Sequence, residues 1–451
     1  MIEVPLKLYI QGLAKQANAA ARPLSLMTSH DRTLALRAMA DRLEASVEDV
    51  LAANKQDIEA IPRDGSTDDY RKARDQISVT EGDVAGMVAF IRRMAGAPDP
   101  TGEVSQGWMT QDGLRLHRVR VPLGVIAVIS EFGPAVTAES VAMCLRSGNV
   151  CVIRGGREWF RTNVVLARVL REAAEASSVP PGAITFVDRP DREGVLELTR
   201  LRHLVHGVVP RGKVGLRKAV MEQSRVPVLG YDGGLCHVYV DKETDVPLAQ
   251  SVVVNAKIQD PFAANALDVL LVHQAIAQPL LPGLIRRLLS EYVVDLIGCP
   301  KTISMMGIMA MTGHKGIQPA TDADWGQKRQ SLTLGIKIVK DLDEGLTAIA
   351  AVGPGHTDTI VTRNYETAMR FVREVDSSAV LVNASTRLHA GPQMDLGEEL
   401  GVNVSHVPVR GPLTLQALTA EKYVGFGAGQ LREPHPVPQA YQDAMMLSAK
   451  F

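Results

Sequence analysis

GVIAVISEFGPAVTAESVAMCLRSGNVCVIRGG, residues 124–156, decides the fold class. Its first seven residues are almost wholly apolar, with none of the alternation that marks a strand solvated on one face. That is how a strand covered on both faces reads. AESVAMCLRS follows as a helix, and GNVCVIRGG supplies a second strand of the same kind. Strand, helix, strand at this spacing predicts a crossover joining two parallel strands.

The pattern continues outward in both directions. A helix is predicted over 157–176, with Val165, Leu166, Val169, Leu170 and Ala173 on one face, and GAITFVD and HLVHGVVP supply two further strands. The alternation then restarts. CHVYVD, a helix around 246–257, VLLVH, LGIKIV, DTIVT, the helix YETAMRFVREV and AVLVNAS form a second set. The boundary between the sets is placed near residues 228–236, in the turn-rich VLGYDGGLC. Upstream, residues 32–60 carry apolar residues at three- and four-residue intervals, as one amphipathic helix or two. A less regular, charge-rich region runs to about residue 100, and GAPDPTGE breaks it. QDGLRLHRVRVPLG reads as a hairpin arm, and the tail VNVSHVPVR is expected to pair with residues 114–121 across a subunit contact.

Bulk properties set the context. At 451 residues the chain is too long for one simple core. A net charge of −1 without a basic run argues against a nucleic-acid partner. Cys144, Cys151, Cys236 and Cys299 are far apart with no CxxC spacing, which argues against a disulfide framework or a zinc site and points to no metal. No apolar run approaches 18 residues and nothing near Met1 resembles a signal peptide, so no membrane is implied and a cytoplasmic protein is expected.

Three segments carry possible chemistry. Arg154, Gly155 and Gly156 end a strand before a helix, either as an ordinary turn or as an approach for an anion. Their spacing does not match G-x-G-x-x-G, so the pattern alone assigns no dinucleotide site. VVPRGKVGL, with Pro210, Arg211 and Gly212, is a second strand running into a Gly-rich, basic helix start. Two such loops at the carboxyl ends of neighbouring parallel strands would face one crevice. In VNASTR, the residues Asn383, Ser385, Thr386 and Arg387 either hold a polar substrate or cap the following segment. His237, His356 and His389 are scattered and read as packed or surface histidines.

Several segments in order, RVPLGVIAVI, CLRSGNVCVIRGG, DRPDRE (188–193), VVPRG, CHVYVD, NAKIQDPFAAN, REVDSSAVLVNASTR and VRGP, resemble the glutamate-5-semialdehyde dehydrogenases. These are also called γ-glutamyl phosphate reductases, a family of proline biosynthesis within the aldehyde dehydrogenase superfamily. The resemblance implies an α/β, aldehyde dehydrogenase-like fold: two doubly wound parallel-sheet domains plus a small β extension for oligomerisation. On that basis residues 1–235 would be a cofactor-binding domain, with 106–123 contributing to the extension. Residues 236–400 would be the catalytic domain, and 401–451 a C-terminal segment partly used in oligomerisation. It also implies NADP(H) as cofactor, reduction of L-glutamyl 5-phosphate to the semialdehyde through a cysteine thioester, and a homo-oligomer. Arg154, Gly155 and Gly156 would fall on the adenosine side, Pro210, Arg211 and Gly212 near the pyrophosphate, and Asn383, Ser385, Thr386 and Arg387 by the substrate.

The family pattern resembling N-A-K-T-Q-R-P-S-x-C-N stands here as NAKIQDPFAAN, residues 255–265. Asn255, Lys257, Gln259, Pro261 and Asn265 match, and the nucleophile's position falls on Ala264. Asp260 replaces an arginine, Gly133-Pro134-Ala135 replaces R-P-N, and the acidic residue expected beside the nicotinamide ribose falls on Lys328. A methyl group has no lone pair, so the thioester route is closed at Ala264. Cys236 is the remaining thiol near this segment. Two readings stay open: an NADP-dependent oxidoreductase of weak or altered activity, or a catalytically silent ligand-binding or scaffold partner of glutamate 5-kinase or an active paralogue.

Overall fold

The computed structural model describes residues 4–63, 66–189, 191–230, 233–306, 317–407, 409–430 and 443. Tyr231 and Asp232 of the boundary turn, Pro190 of DRPDRE and nearly all of the segment after 430 lie outside the described residues. Among the described residues the strands assemble into two parallel sheets and two small antiparallel ones.

The opening stretch folds as its pattern demands. Val125–Ser130 and Val150–Arg154 are buried at every position and pair in parallel, joined by the helix Pro134–Arg146. Ile184–Phe186 flanks Val150–Arg154, and Gly207–Arg211 returns to the other side of Val125–Ser130. The direction of strand addition therefore reverses beside Val125–Ser130, and the carboxyl ends there, at Ser130 and Arg211, open a crevice.

Cys236–Val240 begins the larger sheet, in the order Gln318–Pro319, Asp295–Gly298, Thr333–Val339, Val269–His273, Cys236–Val240, Gly355–Val361, Ser377–Val382. Every neighbouring pair is parallel. The period of two in its strands feeds two cores: Val238, Val240, Leu270 and Val272 join the helices Val246–Ile258 and Gln274–Ser290, while Tyr239, Val269 and Leu271 face Ile349 and Phe371.

The N-terminal third is more helical than its sequence pattern suggests. The amphipathic run divides into Ser29–Glu44 and Val47–Glu59, and the charge-rich stretch holds Thr67–Ile77 and Glu81–Gly96. Reciprocal caps start three of these helices, with Thr28, Ser66 and Thr80 bonded to Asp31, Asp69 and Asp83. Leu6–Ser25, Ser29–Glu44 and Glu81–Gly96 bury their apolar faces in the core of the four-stranded sheet.

The tail departs from its expected pairing. Among the described residues of this chain, VNVSHVPVR does not pair with 114–121. Its start belongs to the strand Glu399–Asn403, which pairs with Gly411–Thr414, and the partner of Arg115–Pro122 is Thr419–Phe426 of the same chain. With Val104–Met109 these two make a three-stranded antiparallel arm. The eight-residue match between Arg115–Pro122 and Thr419–Phe426 satisfies a whole ladder, including the Arg118–Glu421 ion pair, which VNVSHVPVR, with a proline in its interior and no acidic residue, could not. The four cysteines are buried and unpaired. No helix among the described residues is long and apolar enough to cross a membrane.

Asn149 couples the arm to the four-stranded sheet. Its buried side chain accepts from the Gly124 amide at 2.8 Å and donates to Ser147 Oγ and the Leu418 carbonyl, each at 2.8 Å. Asn149→Ala removes the side-chain partner of the Gly124 amide and of the Leu418 carbonyl and is expected to cost about 2–4 kcal/mol. Denaturant unfolding should show a lowered midpoint with an unchanged slope.

Candidate functional site

The loop 259–268 leaves the helix Val246–Ile258 and enters the strand Val269–His273. It is pinned at both ends by buried groups. Lys257, fully buried, donates from Nζ to the Leu267 carbonyl at 3.0 Å, and the Leu267 amide donates to the Ala256 carbonyl at 2.9 Å. Asn265 Nδ2 donates to the His389 carbonyl at 3.0 Å, while Thr386 Oγ1 donates to the Asn265 carbonyl at 2.7 Å. Ala264 is held between these two clamps on the wall of the cleft.

Beneath Ala264 lies a charged cluster. Lys328 Nζ donates to the Ala264 carbonyl at 2.5 Å and pairs with Asp268 Oδ2 at 2.9 Å. Asp268 also accepts the amides of Cys236 and Arg329, each at 3.0 Å. Lys328 therefore turns inward under the loop instead of lining the cleft. Its charge is matched by a carboxylate that is itself fully hydrogen-bonded, the condition a buried ion pair requires. Cys236 donates weakly to the same Ala264 carbonyl, at 3.4 Å, and burial pushes its thiol up to about 12. A thiol held protonated in this way is a poor nucleophile.

The cleft above the loop measures about 520 Å³. The carboxyl-end loops of the four-stranded sheet contribute Phe132 and Arg211, and the amino edge of the large sheet contributes His356. Arg211 lies along Phe132, 5.9 Å from the ring centroid, and Gly401 leaves room for it: a Cβ at 401 would come within 2.6 Å of the guanidinium. Opposite stands Arg387, whose Nε donates to Gln259 at 2.7 Å and whose guanidinium lies 3.7 Å from Asp260. Burial pulls the Arg387 guanidinium below its ordinary range, with Asp260 opposing. Two arginines on one small cleft suit an anionic ligand.

Two histidines read as packed in the sequence meet here. Thr357 Oγ1 lies 2.8 Å from Nδ1 of His356 and 2.8 Å from Nδ1 of His389. Both residues line the cleft, and burial keeps both imidazoles neutral, His356 well below its ordinary value and His389 at about 4. Periodicity gave no sign of this, because the contact joins a strand start to a loop 32 residues on.

Of the residues singled out in the sequence, the fold brings Arg211, Ala264, Asn265 and Arg387 onto one cleft. Lys257 and Thr386 support it from behind. Ser385 caps the short turn Thr386–Leu388 by accepting the Arg387 amide. Asn383, in a left-handed conformation with φ 55°, bonds both backbone groups of Thr362 at 2.9 Å and stands apart. Arg154, Gly155, Gly156, Pro210 and Gly212 lie away from the cleft lining, at the strand ends of the smaller sheet. Arg154 is buried and donates to the Gly155 carbonyl at 2.8 Å. A Cβ at 155 would lie 2.7 Å from the Asn163 amide, and one at 212 would lie 2.6 Å from the Glu131 carboxylate. Internal packing thus demands both glycines. The Lys213 amide at the start of Val214–Gln223, where a pyrophosphate would dock, donates to Glu131 at 2.8 Å. As folded, this turn does not present that amide to a dinucleotide.

Paired parallel sheets whose opposed ends enclose an arginine-flanked loop are an aldehyde dehydrogenase architecture, and a family profile described as "Aldehyde dehydrogenase family" matches residues 9–295. A γ-glutamyl phosphate reductase from Magnetococcus marinus is 40% identical, covering 94% of this chain and 98% of its own length. The enzyme of that name from Thermodesulfovibrio yellowstonii is 35% identical over 95% of this chain and 100% of its own. The crystal structure of γ-glutamyl phosphate reductase from Thermotoga maritima superimposes with a TM-score of 0.89 at 35% identity, covering 94% of this chain and 100% of that one. The chain belongs to the aldehyde dehydrogenase family and, within it, to the γ-glutamyl phosphate reductases.

Lys257 gives a pH-dependent signature. Burial draws its ammonium down to about 8, with Asp268 opposing. Between about pH 8 and the ordinary lysine range the unfolded chain holds a proton the folded chain has lost, so this group's contribution to stability rises with pH there. Native protein should gain stability relative to Lys257→Met across that window. A difference that stays flat in denaturant titrations would remove the assignment.

Proposed function

We propose that this protein is a γ-glutamyl phosphate reductase relative whose cleft still receives a small anionic acyl phosphate but no longer forms a covalent thioester. The observation that carries the reading is Ala264 on the cleft wall within an intact set of clamps, Lys257 to Leu267 and Asn265 to His389. The family resemblance places the nucleophilic thiol at this position. The buried, protonated Cys236 offers no substitute. Arg211 and Arg387 flank the methyl group and supply the charge to hold a phosphate or carboxylate.

The relatives' printed name supports L-glutamyl 5-phosphate, in proline biosynthesis, as the ligand class. Family membership supports a nicotinamide cofactor, NADP(H) in this reading, and such a group would supply hydride. Glu131 holds the Lys213 amide that would otherwise receive the cofactor's phosphate. Exposed Trp108, Met109, Tyr423 and Phe426 on the three-stranded arm favour a homo-oligomer.

Purified protein given γ-glutamyl phosphate generated in situ should oxidise NADPH slowly or not at all, and Ala264→Cys should raise the rate by on the order of a thousandfold or more. Native turnover left unchanged by that substitution would overturn the proposal. NADPH titration by fluorescence is expected to show roughly tenfold tighter binding in Glu131→Ala, because the helix-start amide is then open to phosphate. Equal or weaker binding would place the cofactor elsewhere.

A further inference from the structure

We infer that the cleft transfers the acyl group of an acyl phosphate to water, with His356 as the base. This inference rests on the reading that the cleft takes an acyl phosphate. It needs a nucleophile, a base with a usable lone pair and a place for the departing phosphate, and each has a counterpart in named residues.

The base comes first. A threonine hydroxyl has one proton, so Thr357 Oγ1, 2.8 Å from both Nδ1 atoms, donates to one ring and accepts from the other. With the proton on His356 Nδ1, the chain runs His356 to Thr357 to His389 and leaves His356 Nε2 as a bare acceptor. That atom has no hydrogen-bond partner among the described residues. Asn265 Oδ1 has none either, because the same amide is oriented by Nδ2 donating to the His389 carbonyl. Two cleft-lining residues, both anchored on His389, thus each keep one shielded and unsatisfied polar atom. Such atoms are rare in folded proteins and mark places where a water or ligand is bound. A water bound at His356 Nε2 gives one proton to that acceptor, and its oxygen lone pairs are then left for an electrophile. The methyl of Ala264, on the same wall, does not compete for that electrophile.

The step balances without an oxidant or reductant. Water gives one proton to His356 Nε2 as its oxygen bonds to the acyl carbon. The bond from that carbon to the phosphate oxygen breaks, and phosphate leaves with both electrons toward Arg211 and Arg387. A carboxylic acid and inorganic phosphate are the products, and the proton on His356 passes to solvent. Burial together with the nearby charges of Lys328, Arg217 and Arg387 keeps the His356 imidazole unprotonated well below its ordinary range. The base is weak but present throughout the neutral range.

The test uses acetyl phosphate and, separately, γ-glutamyl phosphate generated in situ, without nicotinamide, in water enriched in oxygen-18. The expected result is release of inorganic phosphate well above the buffer blank with at least one probe, and label in the carboxylate product. The rate should stay flat as pH falls through the ordinary imidazole range, and His356→Asn or His356→Gln should lower it on the order of a hundredfold. Release equal to the blank with both probes, label in the phosphate, or full activity in a His356 variant overturns the inference, as does a rate that falls in the ordinary imidazole range. If neither variant folds by circular dichroism, the position of the label decides. NADPH oxidation by Ala264→Cys is read in parallel. Restored oxidation with no phosphate release by native protein sinks the hydrolysis alone. Phosphate release without restored oxidation sinks the reductase reading alone.

Discussion

One buried carboxylate organises the functional half of this molecule. Asp268 accepts the amide of Cys236 at the start of one strand, the amide of Arg329 ahead of another, and the ammonium of Lys328, while its own backbone leads into a third. Three strand entries are therefore fixed relative to one another by a single charged group. An unpaired charge at this depth would cost several kcal/mol, so the lysine and the two amides are conditions of the fold. The loop bearing Ala264 hangs from the same point, because Lys328 also holds its carbonyl.

The cleft follows from where the two parallel sheets meet. The smaller presents its carboxyl ends and the larger its amino edge, and side chains from both reach the gap: Phe132 and Arg211 from one, His356 from the other. Opposed sheet ends leave backbone loops, not apolar side chains, facing inward, which accounts for the polar character of the lining. Charge is distributed with the same economy of position. Arg211 lies among the Glu139 and Glu399 carboxyls, both raised mainly by burial, and Arg387 stands beside Asp260. The net result is a small site suited to anions, with neutral imidazoles at its base.

The loop bearing Ala264 is tied to its surroundings by charged side chains. Ala264 lies directly above Lys328, and Asp260 lies beside Arg387. The lysine under the loop has a stabilising partner in Asp268. The surrounding strands retain the buried apolar pattern that sets them in register.

The residues alone determined the parallel sheets, since runs such as VIAVIS and VCVIR have no face to give to water. They also located the loop around Ala264, where small and polar residues interrupt two apolar elements. The helices Leu6–Ser25 and Glu81–Gly96 were harder to read, being rich in alanine, glycine and charge with their apolar stripes completed by other helices. Tertiary structure alone decided that Thr419–Phe426, not 402–410, completes the arm, because strand pairing is chosen among distant competitors by side-chain match and backbone donors. It alone turned Lys328 inward and joined His356, Thr357 and His389. Hydrogen bonds between residues far apart in the chain leave no period in the sequence, and these bonds shape the site.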